Sequence, residues 1–277
     1  MGNRTILITG CSSGIGEDAA LTLSRRGWRV FATCRSPDDC RRLAEGGLES
    51  LVLDYDNEAS IESAVAEILE RTGGTLDALF NNGAFATPGA VEDLPRAALR
   101  AIYETNVFGY FDLINRVLPA MRRQGHGRIV NCSSVFGFSA FPFRGAYVST
   151  KFALEGLSDT LRLELRGTAI KVILIRPGPI TTLIRQNARP HFESWIRWKE
   201  SPHRHLYEQI FVPRLYADSL PRDFGERPPS SVTRKLIHAL ESPNPGSHYH
   251  VTAPTYIVAA FKRLLPTRTV DWLLSRR

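Results

Sequence analysis

Residues 5–16 read TILITGCSSGIG. Thr5 to Thr9 is a short β-branched run that ends at Gly10, and an apolar helical face follows with Ile15, Ala19 and Leu23 before Gly27. Strand, glycine turn and helix therefore succeed one another within a few residues. Gly10, Gly14 and Gly16 let the backbone approach a pyrophosphate and reach positive φ, and the free N–H groups at a helix start attract anions. The turn suits a dinucleotide, although a tight strand-to-helix turn without a ligand satisfies the same pattern.

Outward from this unit the alternation repeats. Trp28 to Cys34 and Leu51 to Asp54 read as strands with a polar helix from Pro37 to Glu45 between them, and a helical segment spans Glu58 to Arg71. Leu76 to Asn82, Arg128 to Ser134, Ile170 to Arg176 and His248 to Val251 supply further strands, separated by longer helical stretches. Short, continuously apolar strands between helices predict a parallel sheet covered on both faces, and right-handed crossovers make it a doubly wound, Rossmann-type α/β fold. One domain over residues 1–277 is expected. The stretch from about Ile184 to Pro229 breaks the rhythm, with Phe192, Trp195, Trp198, Tyr207, Phe211 and Tyr216 among several prolines and no strand signal. It reads as a helical substrate lid.

Composition narrows the function classes. The chain is 43% hydrophobic and 23% charged, ordinary soluble usage, and its net charge of +7 is scattered rather than gathered into a tail, so nucleic-acid binding is not expected. Cys11, Cys34, Cys40 and Cys132 form no C-x-x-C pair and read as reduced thiols. With no basic-then-apolar leader and no apolar run of about eighteen residues, cytoplasmic residence is the expectation.

In sheets of this kind an acidic residue after the second strand holds an NAD ribose, whereas an arginine there accommodates the phosphate of NADP. Here the strand ends in Thr33, Cys34, Arg35, and the first carboxylate is Asp38 beyond Pro37. Charge matching favours NADP, with a plain surface charge at Arg35 as the alternative. Asp54, at the end of the third strand, suits the adenine amino group or the cap of the next helix.

Tyr147 and Lys151 lie four residues apart, on one face of a helix. A free tyrosine loses its proton near pH ~10, and a neighbouring ammonium lowers that value. Ser134, at the carboxyl end of its strand, is placed to hold a substrate oxygen as charge develops on it, with Ser133 as runner-up on the opposite face.

With these residues in place the sequence resembles the short-chain dehydrogenase/reductases. T-G-C-S-S-G-I-G from Thr9 to Gly16, with Ser12, Ser13 and Ile15, looks like the family's glycine motif, and Ser134 with Y-V-S-T-K from Tyr147 to Lys151 looks like its catalytic set. N-N-G-A from Asn81 to Ala84 is similar to the family's N-N-A-G with the last two residues exchanged, which implies cofactor contacts at Asn82 and Gly83. The resemblance further implies a proton relay completed by Asn106, ribose binding by Lys151, and a nicotinamide site at P-G-P-I-T-T through Pro177, Gly178 and Thr182. Glycine motif and V-F-A-T-C-R together look most like the hydroxysteroid and retinol dehydrogenase branch. A homodimer or homotetramer joined through the helices around Asn106 and Lys151 is likewise implied.

The expected activity is therefore NADP(H)-dependent interconversion of an alcohol and a carbonyl, with NAD as the other cofactor; a non-catalytic NADP-binding sensor or scaffold is the competing class. The lid's aromatics suggest a bulky apolar substrate such as a steroid, retinoid or long-chain carbonyl, or else they pack the lid onto the body. His203 with His205, and His248 with His250, lack partners at metal spacing, so no metal site is expected. The tail of about 254–277 mixes Ile257, Phe261, Leu264, Leu265, Trp272 and Leu273 with basic residues. It fits packing on the body or an oligomer interface better than a basic amphipathic helix on a membrane surface.

Overall fold

The computed structural model describes residues 4–217 and 222–275, so four residues of the lid and the last two of the tail lie outside the described residues. Seven parallel strands form one sheet in the order β3-β2-β1-β4-β5-β6-β7. They are β1 (Thr5–Thr9), β2 (Arg29–Cys34), β3 (Glu49–Val52), β4 (Ala78–Asn81), β5 (Gly127–Cys132), β6 (Ile170–Arg176) and β7 (His248–His250). Strand order reverses between β1 and β4, and the crevice beyond the carboxyl ends of the strands at such a point is where open α/β sheets bind ligands.

Alternation along each strand feeds two cores. Ile6 and Ile8 face one side with Val30, Phe80, Val130 and Ile173, covered by Ala19 and Leu23 of α1 (Gly14–Arg25) and by Leu236 and Leu240 of the helix Ser230–Glu241. Leu7, Phe31, Leu79 and Ile129 face the other side. There they meet Ile61 and Ile68 of α3 (Glu58–Arg71), which follows the short α2 (Pro37–Glu45). Along the chain α4 (Arg96–Tyr103) runs through a π turn, Glu104–Phe108, into α5 (Gly109–Gln124), whose Leu113 and Val117 join this core, as does Leu154 of α6 (Gly145–Glu164).

The doubly wound parallel sheet is as expected, and the strand ends shift by small steps. β3 spans Glu49–Val52 rather than Leu51–Asp54, because it is an edge strand whose pairing with β2 stops at Cys34 opposite Val52. β5 ends at Cys132, although Ser133 N–H still donates to the Ile175 carbonyl at 2.8 Å and Val135 N–H to that of Pro177 at 2.7 Å.

Beyond β6 the lid consists of short helical pieces, Ile184–Asn187, Arg189–Trp195, Arg204–Leu206 and Val212–Tyr216, with a π turn at Tyr207–Phe211. The tail forms two helices, Ala253–Leu264 and Thr267–Ser275, on either side of Pro266. Pro254, Thr255, Val258 and Val270 are buried while Tyr256, Ile257, Leu264 and Trp272 are exposed, so one face packs on the body. Among the described residues no helix is long and apolar enough to cross a membrane.

Candidate active site

The glycine turn is a close-packed cradle. Gly10 and Gly14 have φ of 67° and 61°, the left-handed region where a side chain is strained. A Cβ on Gly10 would come within 2.5 Å of the Gly83 Cα, and one on Gly16 would run into the Gly10 carbonyl. The Thr182 methyl would stand 3.2 Å from a Cβ on Gly14, so the loop after β6 closes over the turn after β1. Ser13 caps α1 through its backbone, Ile15 packs partly into the core, and Ser12 is exposed with its carbonyl accepting from Arg42 at 2.7 Å.

Beneath the turn runs a buried line of polar side chains that the sequence reading missed. Tyr55 donates to Asn81 Oδ1 at 2.6 Å, Asn81 Nδ2 to Asn131 Oδ1 at 3.0 Å, Asn131 Nδ2 to Ser158 Oγ at 2.9 Å, and Ser158 to the Leu154 carbonyl at 2.6 Å. A phenol has one proton, and that of Tyr55 goes to Asn81, so the 2.7 Å contact between Thr9 and Tyr55 is a donation from Thr9. The Thr9 oxygen in turn accepts from Asn82 N–H at 2.9 Å and Gly83 N–H at 3.2 Å, while Asn82 Nδ2 donates to the Thr9 carbonyl at 3.1 Å. Thr9 and Asn82, expected at the cofactor, thus spend their side chains on holding Gly83 against Gly10. The one signal available in the sequence was an asparagine at the end of β4 and another one residue before the end of β5, which stand opposite each other in register.

At the end of β2 Arg35 is exposed and engages no carboxylate among the described residues. The nearby acids are taken: Asp38 by Arg41, and Asp39 by Arg42 at 3.7 Å. Arg42 also meets Glu17 at 2.6 Å, tying α2 to α1. Asp54 does not cap the next helix. Asn57 caps it, accepting from Ser60 N–H at 3.2 Å, while Asp54 Oδ1 accepts from Asp56 N–H at 3.2 Å inside its own turn.

Tyr147 and Lys151 are buried on the inner face of α6, with the ammonium 5.5 Å from the phenol ring centroid. Lys151 Nζ donates to the Cys132 carbonyl at 2.8 Å. The sequence predicted a phenol made more acidic by this ammonium; the structure gives the opposite direction. Burial pushes the Tyr147 phenol up and pushes the Lys151 ammonium down to about 8, because desolvation penalises the charged form of each. Burial also lifts the thiols of Cys11, Cys34 and Cys132, the latter two to about 12 and about 11, which keeps them protonated.

Ser133 and Ser134 point to opposite sides of extended chain. A Cβ on Gly137 would meet both Ser133 Oγ and Glu155, which places the Ser133 hydroxyl toward the Glu155–Arg176 ion pair. Ser134, extended at φ −165° and ψ 169°, projects the other way. Asn106 sits in the π turn with its side chain committed: Oδ1 accepts from Phe85 N–H at 3.2 Å, and Nδ2 donates to the Phe85 carbonyl at 2.9 Å and to Thr150 Oγ1 at 3.3 Å. It locks the segment after β4 to the helix that carries Tyr147. Tyr147 clusters with Ile102 and Ala146, and Phe85, Leu94, Leu99, Tyr103 and Phe136 pack against this cluster, the last edge-on to the phenol at 5.9 Å.

Pro177 is buried, and Gly178 leaves no room for a Cβ beside Thr252 and Thr255. Much of the lid's aromatic content packs on itself: Phe192, Tyr207, Phe211, Trp195 and Trp198 join Ala90, Ile196 and Phe143 in one cluster. The histidines go separate ways: His203 to Glu92 at 2.5 Å, His248 to Asp159 at 3.1 Å, and His250 between Phe138 and Tyr256.

A glycine cradle at the switch point of a parallel sheet, with a buried Tyr and Lys one helical turn apart beside it, defines a nucleotide-binding oxidoreductase. Residues 4–193 match the short chain dehydrogenase family, and the chain belongs to it. It is 39% identical over 272 residues to the uncharacterized oxidoreductase YbbO of Escherichia coli K12, covering 98% of this chain and 94% of that protein. It is 30% identical to human 17-beta-hydroxysteroid dehydrogenase type 1, covering 91% of this chain and 78% of that one, and 30% identical to human retinol dehydrogenase 8, covering 87% and 79%. Among solved structures, a short-chain dehydrogenase from Streptomyces avermitilis superposes with a TM-score of 0.77 at 26% identity, over 95% of this chain and 96% of that one.

Proposed function

We propose that this oxidoreductase interconverts an alcohol and a carbonyl with NADP(H), on a bulky apolar substrate, through Tyr147. The observation that carries the reading is the pairing of a buried phenol and a buried ammonium on one face of α6, with the ammonium bonded at the carboxyl end of β5, the same sheet edge that carries Ser134 and the glycine cradle. When bound in that cradle, the nicotinamide supplies or accepts the hydride.

Gly10, Ser12, Ser13, Gly14, Ile15 and Gly16 carry the pyrophosphate at the start of α1, with Thr9, Asn82 and Gly83 fixing the turn. Arg35, which no carboxylate among the described residues neutralises, takes the 2′-phosphate and sets the preference for NADP over NAD. Asp54 keeps an oxygen for the adenine amino group, and Pro177, Gly178 and Thr182 border the nicotinamide. In reduction the Tyr147 hydroxyl gives its proton to the substrate oxygen, and in oxidation it takes the proton back. Burial holds that phenol protonated, as a proton donor requires. Ser134 donates a hydrogen bond to the same oxygen; Lys151 stabilises the phenolate as it forms and holds the ribose. Asn106 keeps the Phe85 segment and α6 in register and supports the proton relay.

The apolar wall at Tyr147 is formed by Phe85, Leu94 and Phe136 more than by the lid tryptophans, and relatives named as retinol and hydroxysteroid dehydrogenases fit such a wall. Phe108 on the π turn and Phe152 and Leu157 on α6 are exposed, which supports a homodimer or homotetramer through these helices.

The test is label transfer from deuterated NADPH across a panel of carbonyls. Deuterium should appear in the product alcohols, and Tyr147→Phe should lower kcat at least about a hundredfold while NADPH binding persists. NADPH binding without label transfer to any carbonyl would favour a sensor or scaffold instead.

A further inference from the structure

Arg144 is the N-cap residue of α6, three positions before Tyr147. Its backbone is pinned on both sides. The Arg144 carbonyl accepts from Val148 N–H at 2.8 Å, and Gly89 bridges to Arg144 while its N–H donates to the Phe143 carbonyl at 3.0 Å. Phe143, at φ 59°, is the one non-glycine residue with positive φ among the described residues, a strained conformation for an aromatic side chain. Its ring is held by Tyr207 at 5.0 Å and Phe211 at 5.4 Å, so packing with the lid fixes the strand of chain that aims Arg144.

The guanidinium so aimed lies 5.2 Å over the Phe211 ring and is partly buried. Among the described residues it makes no ion pair and no side-chain hydrogen bond. Its surroundings are cationic: Arg214 and Arg185 repel it, and among the described residues Asp223 offsets them. That carboxylate is itself engaged, by Arg185 at 3.7 Å and by Arg214. Burial and the two cations bring the Arg144 guanidinium down to about 10. A guanidinium presents five donors in a planar fork that matches a carboxylate, and a withdrawn fork without an acceptor is costly unless a ligand completes it. Along the chain the cluster also adjoins two elements of the site. Arg144 starts the helix that carries Tyr147, and Arg185 follows Thr182, which closes over Gly14, by three residues.

We propose that Arg144, backed by Arg185 and Arg214, binds a carboxylate at the far end of the substrate. The statement rests on the reading of the cleft at Tyr147 as the substrate site, and it narrows the substrate class to an apolar chain with a carbonyl at one end and a carboxylate at the other. Phe85, Leu94 and Phe136 at Tyr147 and Phe211 under Arg144 supply the apolar surface between the two ends.

The experiment compares kcat/KM for ω-oxo fatty acids with that for the matching neutral aldehydes, in the wild type and in Arg144→Met. The wild type should prefer the acids by about tenfold or more, the scale of a charge-assisted hydrogen bond, and Arg144→Met should bring the ratio close to one. Because Arg144 makes no ion pair and no side-chain hydrogen bond among the described residues, and the variant loses only its stacking on Phe211, it should melt close to the wild-type Tm; a large fall in Tm would assign Arg144 to stability instead. Equal use of acid and aldehyde by the wild type, or an acid preference that survives Arg144→Met, overturns the proposal. Should neither compound be reduced, the hydride reading fails separately, and quenching of the lid tryptophans decides. Dodecanoate binding in preference to dodecanol, lost in Arg144→Met, upholds the carboxylate site, and no such preference ends it.

Discussion

In the line of hydrogen bonds from Thr9 to Ser158 each side chain donates to the next, whereas Arg144 has no acceptor among the described residues. Both regions put polar groups where water is scarce. The first satisfies them within the protein and so becomes rigid, a foundation for the glycine turn above it. The second leaves a charge uncompensated, which is useful only if the compensation arrives from outside. Stability is built where all acceptors are internal, and selectivity where one is left out.

The sharpest way to break this comparison is Asn81→Ala. It strips the acceptor from Tyr55 and the donor from Asn131, two buried groups left unmade at about 1–3 kcal/mol each, so urea unfolding should show a loss of about 4 kcal/mol. A loss below about 1 kcal/mol would mean that the line is ornamental. Next is Lys151, whose ammonium burial lowers to about 8 from 10.5. A base whose folded value lies below its unfolded one weakens the fold while it is charged. That cost is present in full below pH about 8 and is relieved as pH rises toward the unfolded value. Against Lys151→Met, wild-type stability should therefore improve between pH about 8 and about 10 by on the order of 3 kcal/mol, at about 1.4 kcal/mol per unit. A difference that stays flat across that range would show an ammonium that is not desolvated. The smallest effect is at the exposed Arg35. Arg35→Ser should raise KM for NADPH about tenfold, the scale of one exposed charge-assisted contact, and leave KM for NADH nearly unchanged. Equal changes for both cofactors would remove it from the phosphate site.

How far the sequence reveals these regions depends on the range of the interactions. The β1 turn and the Tyr147–Lys151 spacing are local, written in glycine positions and helical periodicity, so the parallel sheet and its carboxyl-edge cleft are legible from the chain alone. Boundaries slip at β3 and β5 because strand ends are set by the partner strand and not by the residue's own preference. Tyr55, Asn81 and Asn131 belong to three separate segments, and nothing local marks them as one chain of donors. Asp54 read equally well as a helix cap, and only the structure hands that task to Asn57. At Tyr147 proximity to Lys151 is visible in the spacing, whereas the desolvation that raises the phenol depends on everything packed around the pair. Nothing local marks Arg144, since its surroundings are set by residues some forty to seventy positions away.

The π turn at Glu104–Phe108 carries one more consequence. A single added residue in a helix advances every later side chain by about 100°. The turn therefore sets the phase of α5 independently of α4, as a shim sets one shaft against another. Asn106 can look inward at Phe85 while Gly109, three residues on, lies flat against the Tyr55 backbone. Lineages that gain or lose one residue here would rotate a whole helix face, and with it the contacts of both the cleft and any partner subunit, without altering a single buried side chain of the sheet.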